Sequence, residues 1–393
     1  MEQHQRTFYF IFINIIGVNI MQLSFEKEEL LYTLQMVQGI AGGPNTLPIL
    51  SNVLIRAQDG NIECAATDLE VGIRIKVVGT ITEEGSITVS AKKLADIVRE
   101  LPDKPIELVT TANKRVELTC GDGVYKIIGM SDEDFPEIPS ASSEGIVIGG
   151  ETLCDVIHKT QFAASNDEVR YILNGLYFNL SEEKTEVVAT DGTRQLALTY
   201  CPSLKTSDEV DGFIVPLKAI REVSRIFADS PEVRISHLKN QLLFSDENTA
   251  LTTRLVEGEY PPYQKLFRDS SDGRTVVSKD AILRTVRRVA LLSDPKNFLI
   301  CLEIEAEQIR VSAKTPELGE AHETLPVQSS TGAVRIGLNA NVLTEVLTHI
   351  ETESLIFEFT GEFIPLIVKP TGDNEHTCFI MPMRLESASP LES

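Results

Sequence analysis

Apolar residues recur three and four apart in six stretches of this 393-residue chain: 26–41, 92–101, 151–164, 217–228, 279–293 and 340–350. That spacing puts them on one face of a helix, so six amphipathic helices are predicted. Between them lie segments in which apolar and polar residues alternate, such as "SITVS", "VELTC", "VRISH" and "IRVSA". A period of two marks a strand with one buried face. The polar, turn-rich stretches "PSASSEG" (139–145) and "RDSSDGR" (268–274) interrupt the pattern and read as linkers.

The pattern also repeats itself, which points to a duplicated architecture. A shift of 123 residues lays "FEKEELLYTLQMVQ" (25–38) over "IGGETLCDVIHKTQ" (148–161), so that Phe25, Leu30, Leu34 and Gln38 fall on Ile148, Leu153, Ile157 and Gln161. The same shift puts "ATDLE" (66–70) on "ATDGT" (189–193), with Asp68 on Asp191. A third copy, "VSKDAILRTVRRVA" (277–290), comes after a further 129 residues. Three strand-to-helix stretches, "VSAKKLADIVREL" (89–101), "VPLKAIREVSRIF" (215–227) and "IGLNANVLTEVLTHI" (336–350), repeat in step. About 45 residues after each comes a proline-bearing segment: "DFPEIP" (134–139), "EYPPY" (259–263) and "FIMPM" (379–383). The expected fold is α+β: three similar units in line, each with two helices packed on antiparallel sheets. Their expected spans are 21–140, 146–268 and 274–385. Residues 1–20 are expected to be an upstream extension outside the fold. Their run "FYFIFINIIGVNI" is too short to span a bilayer, and no signal-type cleavage site comes after it. Residues 386–393, "ESASPLES", read as a disordered polar tail.

Charge divides the molecule. The six predicted helices together carry +2, while the whole chain carries −22, so −24 falls elsewhere. Lys218, Arg221, Arg225, Arg284, Arg287 and Arg288 recur at helical spacing. An acidic body repels a polyanion, but a helical surface of this kind tolerates one. Six widely spaced cysteines, with no CxxC pair, read as free thiols of a reducing cytoplasm. The six histidines form no pair at metal-ligand spacing, and no phosphate-cradling or nucleophile-elbow motif occurs. The repeated Asp68 and Asp191 could do acid–base work. Their recurrence at strand ends favours bonds to nearby backbone amides. An enzyme of unknown class and a repeat scaffold that binds proteins but not DNA are the alternative readings. The first lacks a nucleophile, metal site and phosphate cradle, and the charge partition weighs against the second.

Seven segments in unbroken order from Met21 to Leu385 carry a resemblance: "TLPILSNVLI" (46–55), "ATDLE", "DFPEIP", "VRYILNGLYF" (169–178), "ATDGTR" (189–194), "EGEYPPY" (257–263) and "FIMPMRL" (379–385). The chain resembles the bacterial β sliding clamps, the processivity subunits of DNA polymerase III. The resemblance implies a cytoplasmic, non-catalytic protein without cofactor or metal. It implies a head-to-tail homodimer closed into a ring, with helices lining a hole for double-stranded DNA. The implied partners are the polymerase catalytic subunit, the clamp loader and other polymerases or repair proteins, held by short linear motifs; no membrane is involved.

The pocket implied for those motifs holds Leu173, Thr190, Gly192, Arg194, Pro261, Lys265, Leu266, Pro365, Ile380, Met381, Pro382 and Met383. Met381 and Met383 are expected to line a partly open surface, so that truncating Met381 together with Leu173 would cost binding and little folding. Methionine suits such a surface because it adapts to varied partners. Lys92, Arg170 and Tyr171 are the implied DNA contacts. Tyr125 and Ile127 match an apolar plug at the subunit junction, and Leu291 and Leu292 its socket. Lys114, Arg115 and Lys126 could face Glu317, Glu320 and Glu323 there. The chain departs from the family pattern in three places. "TDGTRQLAL" carries one extra residue, so either Arg194 or Gln195 could take the pocket's basic place. Pro44 and Asn45 stand where a basic DNA contact is usual, and Asp167 where a neutral one is. The tail after Leu385 is the third.

Overall fold

A computed structural model describes residues 20–385, apart from 42–46, 112, 141–143, 182, 205–211 and 269. The predicted extension, the tail, and Pro44 and Asn45 thus lie outside the described residues. Six α-helices form among the described residues where the periodicity placed them: α1 (Lys27–Ala41), α2 (Ala91–Glu100), α3 (Gly150–Thr160), α4 (Leu217–Ile226), α5 (Lys279–Val289) and α6 (Ala340–Thr348). Each buries its apolar stripe; in α5 the buried residues are Ile282, Thr285, Val286 and Val289. The Asn339 side chain caps α6, accepting from the amides of Asn341 (2.9 Å) and Val342 (3.1 Å). This satisfies two donors that the first turn leaves open. The predicted ends of α3 and α5 are single 3-10 turns, Gln161–Ala163 and Ala290–Leu292.

The strands form antiparallel sheets, and sheet continuity groups the repeats into two compact units. Of the described residues, the first takes 20–147 and 225–254. In it strand Thr249–Arg254 pairs with Val71–Val77, so the last hairpin of the middle repeat extends the sheet of the first. The second takes 148–224 and 255–385. There strand Gln195–Pro202 pairs with the C-terminal strand Thr377–Ile380. Among the largest fully buried side chains, Phe25, Phe178, Phe244, Phe357 and Phe379 lie on strands. No helix among the described residues is long and apolar enough to cross a membrane.

Strand pairing corrects one step of the repeat. Met130 pairs with Thr88, Val256 bridges Ile214 and Met383 bridges Gly337. Each partner lies three residues before α2, α4 or α6. "FIMPM" therefore corresponds to Thr252–Val256 and to the strand ending at Met130, not to "DFPEIP" and "EYPPY". The shared prolines suggested a register that the backbone hydrogen bonds overrule, because pairing fixes which residues face the core.

Candidate functional site

In the second unit, the site begins at the turn after strand Lys184–Thr190. Asp191 is buried, and its Oδ1 accepts from the amides of Thr193 (2.9 Å), Arg194 (2.7 Å) and Gln195 (3.3 Å). Its Oδ2 accepts from Arg194 Nε at 2.7 Å. Burial pushes its carboxyl pKa up, but these amides and the guanidinium outweigh that and hold it below the usual carboxylate range. The Thr190 hydroxyl closes the turn, donating to the Gln195 carbonyl at 2.5 Å and accepting from the Gly192 amide at 3.0 Å. The repeated aspartates thus serve as backbone caps. Asp68 does the same for Glu70 (3.0 Å) and Val71 (2.8 Å).

The C-terminal strand forms the next wall. The Met381 amide donates to the Arg194 carbonyl at 2.8 Å, and the Met383 amide to Gly337 at 2.8 Å. Ile380 is fully buried beneath them, while Met381, Pro382 and Met383 are half-buried. Pro365 is half-buried just before strand Leu366–Pro370, whose Leu366 pairs with Ile380.

A third wall is the segment 260–267. Tyr260 and Tyr263 are buried with Leu173, Val188, Leu196, Leu198, Ile214 and Phe379, and Leu266 packs against that cluster. Tyr260 stacks on Tyr177 with ring centroids 4.7 Å apart. The Tyr263 hydroxyl donates to Glu186, which also accepts from Asn179 (2.8 Å) and Tyr200 (3.3 Å). Burial, and then the Glu186 carboxylate, raise the Tyr263 pKa, so the hydroxyl stays a donor. This network fixes the segment from which Pro261 and Lys265 project into solvent. Glu186 and the exposed Phe267, whose ring packs edge-on to Phe379 at 5.0 Å, escaped the sequence reading. Their only signal lay in the aromatic-rich "EYPPYQKLF".

All twelve pocket residues fall in this one unit. Two expectations change. Leu173 is only 8% exposed and belongs to the buried cluster, so its truncation opens a cavity in the fold. Arg194 points outward, whereas Gln195 is buried and donates to Phe162 O (3.3 Å) and Glu345 (3.1 Å). The extra residue is taken up inside the turn. Thr67 closes onto the carbonyl four residues on, and Thr190 onto the carbonyl five on. The result is an apolar floor with one outward guanidinium and no nucleophile activated by a base. Its form suits capture of a peptide with apolar side chains.

The implied DNA residues are divided between the two units. Lys92 is exposed on α2 in the first unit. Arg170 and Tyr171 lie in the 3-10 stretch Glu168–Leu173 of the second. Arg170 donates to the Asp191 carbonyl at 3.1 Å and lies 3.8 Å from Asp167, so the site's own turn already engages it. Tyr171 is exposed. The junction residues fall on two edges. Tyr125 is 40% exposed and Ile127 half-buried on strand Gly123–Met130, where Ile128, absent from the sequence reading, is 77% exposed. Leu291 is 77% exposed and Leu292 half-buried after α5. Three of the charges expected to meet across the junction have partners within the chain: Lys126 with Glu117, Glu320 with Lys314 and Glu323 with Arg288.

No disulfide joins the cysteines, which all lie among the described residues, and burial pushes the thiols of Cys64 and Cys201 up to about 12. Such thiols are poor nucleophiles. Among the described residues no cluster of three or more potential metal ligands occurs.

Three family models cover the chain in order. They are described as the N-terminal, central and C-terminal domains of the DNA polymerase III beta subunit, and they match residues 21–139, 147–262 and 264–384. The Beta sliding clamp of Escherichia coli K12 is 31% identical over 369 residues, covering 93% of this chain and all of that protein. That of Pseudomonas putida is 30% identical over 373 residues, with the same coverage. Among solved structures, the DNA polymerase sliding clamp of Bacillus subtilis superposes with a TM-score of 0.88 at 25% identity, covering 93% of this chain and 99% of that one. A DnaN sliding clamp of Pseudomonas aeruginosa bound to griselimycin gives 0.87 at 29% identity, with 93% and 100% covered.

Proposed function

The chain belongs to the DNA polymerase III beta subunit family and functions as a DNA sliding clamp, and from that premise we propose how its surfaces divide the work. Two copies close head to tail, strand Gly123–Met130 of one meeting the Leu291 side of the other. The ring holds duplex DNA by topology, without chemistry of its own, in the cytoplasm. The surface around Leu173, Gly192, Arg194 and Met381–Met383 captures linear motifs of the replicative polymerase, the clamp loader and other partners. Arg194, which points outward, takes the basic place there. Lys92, Arg170 and Tyr171 contribute weak DNA contacts.

The observation that carries the DNA reading is the charge partition. Lys92, Lys218, Arg221, Arg225, Arg284, Arg287 and Arg288 are all exposed on helices of a chain whose net charge is −22. A closed ring stays on nicked circular DNA and slides off once the circle is linearised. Equal retention on both forms would leave only a protein-binding scaffold.

A further inference from the structure

The chain builds the same turn twice. Thr67 and Thr190 each accept from the amide two residues on, Leu69 and Gly192, at 3.0 Å. Asp68 and Asp191 cap the next amides along the chain. The residue between turns left-handed to the same degree: φ is 78° at both Leu69 and Gly192. Leucine rarely adopts that conformation and glycine does so readily. The surroundings repeat as well. The Arg254 amide donates to Glu70 O at 3.0 Å in the first unit, as Met381 does to Arg194 O in the second. Pro136 stands for Pro261 and Leu50 for Leu173. In the first unit Pro136 lines a small cleft of about 170 Å³ with Thr67, Leu69, Glu70, Thr253 and Arg254.

We propose that the two turns are an open and a closed copy of one peptide site, and that the side chain at the left-handed position decides which is open. A Cβ on Gly192 would stand 2.8 Å from Leu173 Cδ1 and 3.6 Å from Arg170 Nη1, over the apolar floor. Glycine leaves that place to a bound side chain. In the first copy this position carries the Leu69 side chain, which is 44% exposed and lines the cleft, and Glu70 and Arg254 replace Arg194 and Met381 on the rim. One chain therefore offers one peptide site and not two. Gly192 is the residue that sets this, by having no side chain.

The inference rests on the peptide-capture reading, so the test separates the two. Griselimycin, the ligand of the related Pseudomonas aeruginosa clamp, serves as the probe in calorimetric titrations of the full chain. The parent binds one per chain, and a Met381→Ala, Met383→Ala variant binds at least ~30-fold more weakly. Absence of either result overturns the capture reading and the inference with it. Gly192→Ala and Gly192→Leu share the same backbone strain and differ only in what fills the floor. Gly192→Ala presses on Leu173 Cδ1 but leaves most of the floor clear and weakens binding a few-fold, while Gly192→Leu weakens it by ~30-fold or more. Both keep a cooperative melt within roughly 5 °C of each other, since Leu69 already occupies this turn. Equal losses in the two variants would assign the effect to strain, and binding by Gly192→Leu within threefold of the parent would show the position is no gate. Either result overturns the proposal. Leu69→Gly empties the same place in the first copy, so a second griselimycin binds per chain, more weakly because the rim there stays polar, while affinity at the parent site is unchanged. A stoichiometry that stays at one per chain in that variant would show that the side chain at this position does not decide which copy is open, and would overturn the proposal.

Discussion

Strand Gly123–Met130 of the first unit and the C-terminal run Thr377–Met383 of the second end at the same repeat position, yet they expose different things. The first is hydrogen-bonded along Arg115–Cys120 on one side, but meets Gly85–Ser90 only at Gly129 and Met130. Among the described residues, 123–128 therefore present an open row of backbone groups flanked by the exposed Val124, Tyr125 and Ile128. The second has strands on both sides, Gln195–Pro202 and Leu366–Pro370, and its four strand residues are buried. It offers side chains only, those of Met381 and Met383. An open edge is completed by another strand, and so suits a second copy of the chain. A strand whose backbone is already paired is completed by side chains, and so suits a short peptide.

The sharpest way to break this contrast is at the subunit edge. Leu291→Ala with Leu292→Ala removes two apolar side chains, each worth roughly 1.5–3 kcal/mol when buried. The ring has two such junctions and loses four side chains, so the dimer constant should rise by about four to eight decades, with the melting temperature of the separated chain little changed because Leu291 is solvent-exposed and Leu292 half-buried in the monomer. Light scattering against a chain mass of 43.4 kDa reads the outcome. A dimer intact at nanomolar concentration would move the junction elsewhere.

Next in size is the division within the pocket. Leu173→Ala empties a buried position and should cost about 2–5 kcal/mol of stability. Met381→Ala with Met383→Ala should cost little stability but about 2–4 kcal/mol of peptide affinity. Melts and titrations run side by side decide it. If the methionine pair lowers the melting temperature as much as Leu173→Ala does, the strand end is core and not a binding surface.

These residues also show what the sequence could and could not tell. The helices and the aspartate turns were legible because their signals are local: a three-and-four spacing, and a carboxylate beside its own amides. The place of "FIMPM" in the repeat was not. Its proline matched the wrong segment, and only the pairing of Met130, Val256 and Met383 with distant strands sets the register. For the same reason the choice between Arg194 and Gln195 stayed open in the sequence. One extra residue in a turn reverses which neighbour faces inward. The exposure of Ile128 depends on which strands flank it, and no spacing within "VYKIIGM" encodes that.

The root of the C-terminal strand adds a pH dependence that the open edge lacks. His376 is buried, and its Nδ1 lies 3.2 Å from the Leu198 carbonyl. Burial, with Lys159 nearby, lowers its pKa to about 4, against the pull of Leu198, Asp373 and Asp155. In the unfolded chain it titrates near 6.5. Between those values the unfolded state binds the extra proton and the folded state does not. Stability is therefore full above about pH 6.5 and falls as the pH drops towards 4, by up to about 3 kcal/mol from this group. Urea titrations at pH 7 and 4.5 should show that loss, and His376→Asn should flatten it. An unchanged slope in the variant would assign the acid sensitivity to other groups.

The smallest expected effect tests whether both surfaces are separate from DNA. Lys92 is exposed on α2 and belongs to neither the open edge nor the pocket. If it meets one phosphate, Lys92→Ala removes one released counterion, and the slope of log K against log salt for a short duplex should fall by about 0.9. Arg170 should give less, because its guanidinium is held at the Asp191 carbonyl and beside Asp167, and freeing it for a phosphate gives up those contacts. Neither the dimer constant nor griselimycin affinity should move in Lys92→Ala, since no backbone pairing or floor residue is touched. A slope equal to the parent's would remove Lys92 from the DNA surface. A weakened dimer in the same variant would mean that the helix face and the open edge are coupled, and the division of labour drawn from the two strands would fail.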